Sequence, residues 1–188
     1  ATQKPSEAFI VDLSNGNYTL IEKKVVIEGQ KTAYFSEKFL EITVPVTTKE
    51  QIKEIKKTVT HIAKKHDEEP YKALATTQQA IFHQLEEQDE IDAAAIFDKV
   101  FEEKPLAREA AQLAITEERV PEKIAVTNVP KYERKYSKQK FKLDNGIEIT
   151  IPSEIYENKE MVEFINNPDG SVSVLIKNIE SILNKFNA

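Results

Sequence analysis

Apolar positions alternate with period two at both ends of this chain and recur at helical spacing in the middle. The C-terminal stretch is the clearest. After Leu143, a two-residue turn at Asn145-Gly146 would set Leu143 against Glu148 and Phe141 against Thr150. A three-residue loop, Asp144-Asn145-Gly146, instead pairs Leu143 with Ile147 and Phe141 with Ile149. One face is then apolar throughout, and Gly146 takes the left-handed position. The loop Asn167-Pro168-Asp169-Gly170 follows the same logic. It sets Phe164 opposite Val174 and Val162 opposite Ile176.

The N-terminal segment reads as a three-stranded meander. Phe9, Val11 and Leu13 alternate up to Asn15-Gly16, a type I′ signal that pairs Leu13 with Tyr18 and Val11 with Leu20. A second turn falls at Gly29-Gln30, with a return through Ala33, Tyr34 and Phe35. Phe39 to Val46 either extends the sheet or leads into a helix.

The middle is helical. Thr47 and Glu50 form a capping-box pattern, followed by Ile52, Ile55, Val59 and Ile62 at helical spacing, with an end near His66-Asp67. Pro70 opens a second helix with Leu74, Ile81, Phe82 and Leu85 as its stripe. Asp89 caps a third holding Ile91, Ile96, Val100 and Phe101. Pro105 opens a fourth carrying Leu106, Ala110, Leu113 and Ala114, which Pro121 ends. Ile124 to Thr127 reads as a short strand, and Asn128-Val129-Pro130 as a joint. The expected class is therefore α+β: an N-terminal antiparallel β meander over 1–46, a helical region over 47–128 and C-terminal antiparallel β hairpins over 129–188. These form one compact domain or two small ones. The turn glycines Gly16, Gly146 and Gly170 are structural.

Composition narrows the chemistry. Cysteine is absent among the 188 residues, which excludes a disulfide scaffold and thiol catalysis and fits a reducing compartment. No apolar run has the length of a membrane span, and no basic region followed by an apolar core marks a signal peptide. The first residue is not Met, so the chain is expected to be processed or cut from something longer. His61 and His66 do not share a helix face, His83 stands alone, and adjacent acids such as Glu86-Glu87 and Glu102-Glu103 point in different directions. With neither a phosphate-cradling glycine loop nor a serine elbow, a non-enzymatic protein without cofactor or metal is expected.

Net charge is −6, but its distribution is blocky. Glu86 to Glu118 is strongly acidic. Lys131 to Lys142 is basic and aromatic, with Lys131, Arg134, Lys135, Lys138, Lys140 and Lys142 interleaved with Tyr132, Tyr136 and Phe141. Such a run suits phosphates and stacked bases. Its rival reading is a solvated strand whose aromatics go to the core, which the hairpin register claiming Phe141 favours. Lys53, Lys56 and Lys57, on the lysine face between Lys49 and Lys65, pose the same choice. Arginine is confined to Arg108, Arg119 and Arg134, so contact with the phosphate backbone is expected rather than reading of base edges.

The words FKLDNGIEITIP, VEFINNPDGSVSVLIKNI, AFIVDLSNGNYTLIEKK and AYFSEKFLE resemble the NdpA (YejK) family of bacterial nucleoid-associated proteins, from near Ala8 to near Ile182. They are structural words, of turns and core alternation. Family members are longer, so the resemblance implies the C-terminal part of such a protein without its N-terminal α/β portion. It further implies a bacterial protein of the cytoplasm and nucleoid that binds DNA or RNA. No catalytic or binding motif is carried over. The preferred reading is a sequence-independent nucleic-acid-binding module touching phosphates, away from membranes. Its rivals are a protein-interaction or homo-oligomerisation module, with DNA contact made elsewhere in the full-length protein, and, less favoured, an enzyme accessory or hydrolase.

Overall fold

The computed structural model describes residues 7–14, 18–27, 29–41, 46–117 and 119–184. The chain divides into two compact units, Ala1–Thr47 and Thr48–Ala188. The class is α+β, with β hairpins toward both ends and helices between.

In the first unit the described strands pair as two antiparallel hairpins. β1 (Ala8–Val11) pairs with β2 (Tyr18–Ile21), and β3 (Val25–Ile27) with β4 (Gln30–Thr32), all antiparallel. Val11 lies opposite Tyr18, two positions from the expected register, and Leu13 is left 93% exposed outside the strand. A shift of two preserves which side chains share a face, so the alternation could not exclude it. The expected turn at Asn15-Gly16 lies outside the described residues. In the second hairpin Ile27 pairs with Gln30, with Gly29 at φ +79° inside the turn, one position earlier than expected. Tyr34 and Phe35 do not continue a strand. Phe35–Phe39 forms a π-helical turn whose start is held by Glu22, which accepts from the backbone N–H of Phe35 at 2.6 Å and from Ser36 Oγ at 2.7 Å. The expected extension from Phe39 to Val46 falls partly on residues outside the described ones.

The second unit is built on α1 (Thr48–Lys65) and α2 (Pro70–Glu87). Ile52, Ile55, Val59 and Ile62 of α1 are all buried, as their spacing predicts. Asp67 at φ +54° ends the helix, and Pro70 opens the next. A short strand β5 (Glu90–Asp92) then pairs with β6 (Lys123–Ala125), taking Ile91 out of the expected third helix. Asp92, not Asp89, caps α3 (Ala93–Val100), its carboxylate accepting from Ala95 N at 2.9 Å.

The inward face of α4 (Pro105–Thr116) also differs from expectation. Ala107, Ala111 and Ala114 are buried, while Leu106 is 71% and Leu113 50% exposed. Alanines permit close approach to neighbouring helices, and that geometry outweighs the larger transfer energy of the leucines. The core gathers around Phe97, Phe101, Ile91 and Ile96, all essentially inaccessible.

The basic run is not one strand. Asn128 caps α5 (Val129–Tyr136), accepting from Lys131 N at 3.2 Å, and Pro130 sits in its first turn. The expected joint is therefore a helix start. Only the second half of the run is extended, as β7 (Lys138–Lys142), paired with β8 (Glu148–Pro152). A short helix α6 (Ser153–Glu157) leads to β9 (Val162–Asn166) and β10 (Val172–Ile176).

Both C-terminal registers follow the sequence reading. Phe141 faces Ile149, Phe164 faces Val174, Val162 faces Ile176, and Leu143 N donates to Ile147 O at 2.9 Å. Gly146 and Gly170 sit at φ +89° and +83° at the ends of their loops.

Candidate nucleic-acid interface

Helix α5 presents a ladder of cations and rings. Residues 132 and 136 are one turn apart, so the rings of Tyr132 and Tyr136 stack with centroids 6.4 Å apart. Lys135 Nζ lies 5.1 Å from the Tyr136 centroid and 5.8 Å from that of Tyr132, and Lys131 Nζ is 5.5 Å from Tyr132. Lys131, Arg134 and Lys135 are exposed, whereas Tyr136 is buried and burial pushes its phenol up to about 12. Arg134 and Lys135 occupy the last turn, where cations suit the helix dipole.

Strand β7 sorts its side chains by alternation. Gln139 is buried and Phe141 half-buried on one face, so Lys138, Lys140 and Lys142 stand exposed on the other. Polar bonds fasten this strand to α2. Gln139 Nε2 donates to Ala75 O at 2.9 Å, and Gln78 Nε2 donates to Lys138 O at 2.8 Å and Tyr136 O at 3.2 Å. Ser153 Oγ adds a bond to Tyr136 O at 2.8 Å.

The lysines of α1 divide. Lys56 lines a cleft shared with β7, while Lys57 pairs with Glu54 at 3.0 Å and borders a separate depression against α4, shared with Glu117 and Arg119. Lys53 is exposed.

Between α1, α2, β7 and the β9–β10 hairpin lies a cleft of about 430 Å³. Its floor is apolar and aromatic: Tyr71, Leu74, Phe141 and Phe164, with Val172 and Val174. Phe141 and Phe164 centroids are 5.0 Å apart, Tyr71 is 5.8 Å from Phe164, and Tyr156 lies edge-on to Phe164 at 5.7 Å. Lys56, Lys140 and Lys142 also line the cleft, the last two with side chains leaving β7 on the face opposite Phe141, where Glu148 stands across from Lys142; no carboxylate is among the described residues lining the cleft itself. Burial, with the Glu69 carboxylate nearby, raises the Tyr71 phenol to about 12. Tyr136 lines the cleft too, so the ring under Lys135 joins the α5 ladder to it.

Thus, of the residues expected to bind nucleic acid, the fold brings Lys56 together with Lys140 and Lys142. It sets Lys131, Arg134 and Lys135 along α5, Lys138 at the start of β7, and Lys57 away from the cleft. Tyr71 was not singled out from the sequence, and Phe164 was placed only in the hairpin register, not at a site. Tyr71, Leu74, Gln78 and Ile81 recur at helical spacing, and a polar Gln inside an apolar stripe was the available signal. Among the described residues no group of three or more metal-ligating side chains converges. His83 instead contacts Glu157 at 3.0 Å and Glu86 at 3.4 Å. No described helix is long and apolar enough to cross a membrane.

Comparison with known proteins adds the family. A family model described as nucleoid-associated protein YejK matches residues 1–184. No curated protein and no solved structure matches. The chain belongs to the YejK family of nucleoid-associated proteins.

Proposed function

We propose, from this family membership, that the unit Thr48–Ala188 is a non-enzymatic module that binds the phosphate backbone of DNA or RNA in the bacterial cytoplasm, at the nucleoid, without reading sequence. The observation that carries the reading is charge placement. On a chain of net charge −6, Lys56 lines a cleft bounded by the strand that carries Lys140 and Lys142, beside the cationic edge of α5, and no carboxylate is among the described residues lining it. Lysine ammonium groups serve phosphates as point charges and carry little base information. Seven of the nine expected residues contribute: Lys56 and Lys131, Arg134, Lys135, Lys138, Lys140 and Lys142, whereas Lys57 is paired and Lys53 lies off the cleft. The test is binding to unrelated duplexes and single strands of equal length across a salt series. Log affinity should fall linearly with log salt, similarly for every sequence. A slope near zero, or strong discrimination between unrelated duplexes, contradicts the reading.

A protein-interaction or self-association role has one observation in its favour. Leu175 and Ile176 on β10, and Ile179, Ile182 and Leu183 after it, are between 45% and 86% exposed. Light scattering at rising concentration, with and without oligonucleotide, separates self-association from nucleic-acid binding.

A further inference from the structure

We infer that the cleft receives an unpaired base of a single-stranded nucleic acid, with flanking phosphates met by Lys56 at its lining and by Lys140 and Lys142 on the outer face of β7; this rests on the phosphate-binding reading above. Three features carry it together. The cavity, about 430 Å³, has the size of a small-molecule site, larger than phosphate contact alone requires. Its floor offers the rings of Tyr71, Phe141 and Phe164, all half-buried and outside the core cluster, with Phe141 also stacked on Tyr156 at 5.6 Å. Its charged lining residues are all lysines. An apolar aromatic floor with cationic edges complements a flat aromatic ring joined to anions. The depression between α1 and α4 makes the contrast: Glu54 and Glu117 accompany its Lys57, Lys65 and Arg119, so it has no such complementarity.

A duplex cannot use the floor. Its bases are stacked and paired inside, so only its phosphates reach the lysines. A single strand can splay one base into the cleft while its neighbours stay outside, and stacking on aromatic side chains tolerates any base. The cleft therefore adds a preference for unpaired strands to a binding mode otherwise set by charge.

The test uses the unaltered chain. Binding is measured to a single-stranded oligonucleotide and to one of equal length and charge bearing abasic sites at its central positions. The abasic strand should bind roughly fivefold or more weakly, with an unchanged salt slope. Irradiating a bound oligonucleotide that carries 5-iodouracil should crosslink it to Tyr71, Phe141 or Phe164. Equal affinity for both strands would overturn base entry while leaving the phosphate reading intact. Crosslinks confined to Tyr132 on α5 would overturn the cleft as the receiving site. Absence of salt-dependent binding to either strand removes the phosphate reading and this one with it. Binding of an acidic amphipathic peptide in the cleft, without any oligonucleotide binding, assigns the site to a protein partner and overturns it equally.

Discussion

The side-chain amide of Gln139 donates to the main-chain carbonyl of Ala75 at 2.9 Å, joining the start of β7 to the first half of α2. Gln139 is only 3% exposed, so this bond is made without competition from water. It fastens β7 to α2 beside Phe141, which lines the cleft. Gln139→Leu should destabilise the protein by about 1–2 kcal/mol through loss of a buried hydrogen bond. Urea unfolding measures this, and an unchanged midpoint would remove the polar seam as the cause of strand docking.

Lys56 and Lys57 are neighbours in sequence but not in function. Lys56→Glu puts a carboxylate into the cleft and should weaken oligonucleotide binding severalfold at low salt. Lys57→Glu alters a pair exposed to solvent with Glu54 and should change binding much less. Equal effects from the two reversals argue for general repulsion rather than a site.

Replacing Arg134, Lys135 and Lys138 together with Ala should leave the fold intact, because all three are exposed. Affinity should drop, and the salt slope should flatten by roughly 0.9 for each duplex phosphate no longer neutralised. Unchanged affinity and slope would mean that this edge is only solvated.

Gly146 and Gly170 hold left-handed conformations, and a Cβ at either position would meet nothing within 4 Å, so substitution carries a backbone cost but no clash. Gly146→Val or Gly170→Val should each cost about 1–2 kcal/mol. Gly146→Asn should cost less, since Asn enters this region more readily. Thermal unfolding ranks the three.

Tyr71 and Tyr136 both have phenols raised to about 12, chiefly by burial. A phenol raised in the folded state keeps its proton there after the unfolded chain has lost it. The contribution to stability is therefore complete below pH about 10 and falls as pH rises toward 12. Tyrosinate absorbance during an alkaline titration should show a late-ionising group that merges with the ordinary tyrosines in denaturant. A single transition at the ordinary value in native protein contradicts this environment.

Local chemistry made several features legible from sequence. The registers of β7–β8 and β9–β10 follow from a loop glycine that must take positive φ, which fixes the loop length, and from alternation, which fixes the faces. The buried stripe of α1 follows because a period of 3.6 puts Ile52, Ile55, Val59 and Ile62 on one face. Where local signals were degenerate, tertiary packing decided. A two-residue slip kept the faces of β1 and β2, so alternation could not choose between Tyr18 and Leu20 as the partner of Val11. On α4 a leucine-bearing face and an alanine face were both available, and close helix approach selected Ala107, Ala111 and Ala114. The Asn128 cap and Pro130 were present in the sequence, but α2 supplies the surface on which the ring of Tyr136 is buried as α5. The candidate site belongs to the same class. Lys56 lies on α1 and Lys140 and Lys142 on β7, and no sequence period relates them. The docking of β7 on α2, through Gln78 and Gln139, brings these residues to one cleft.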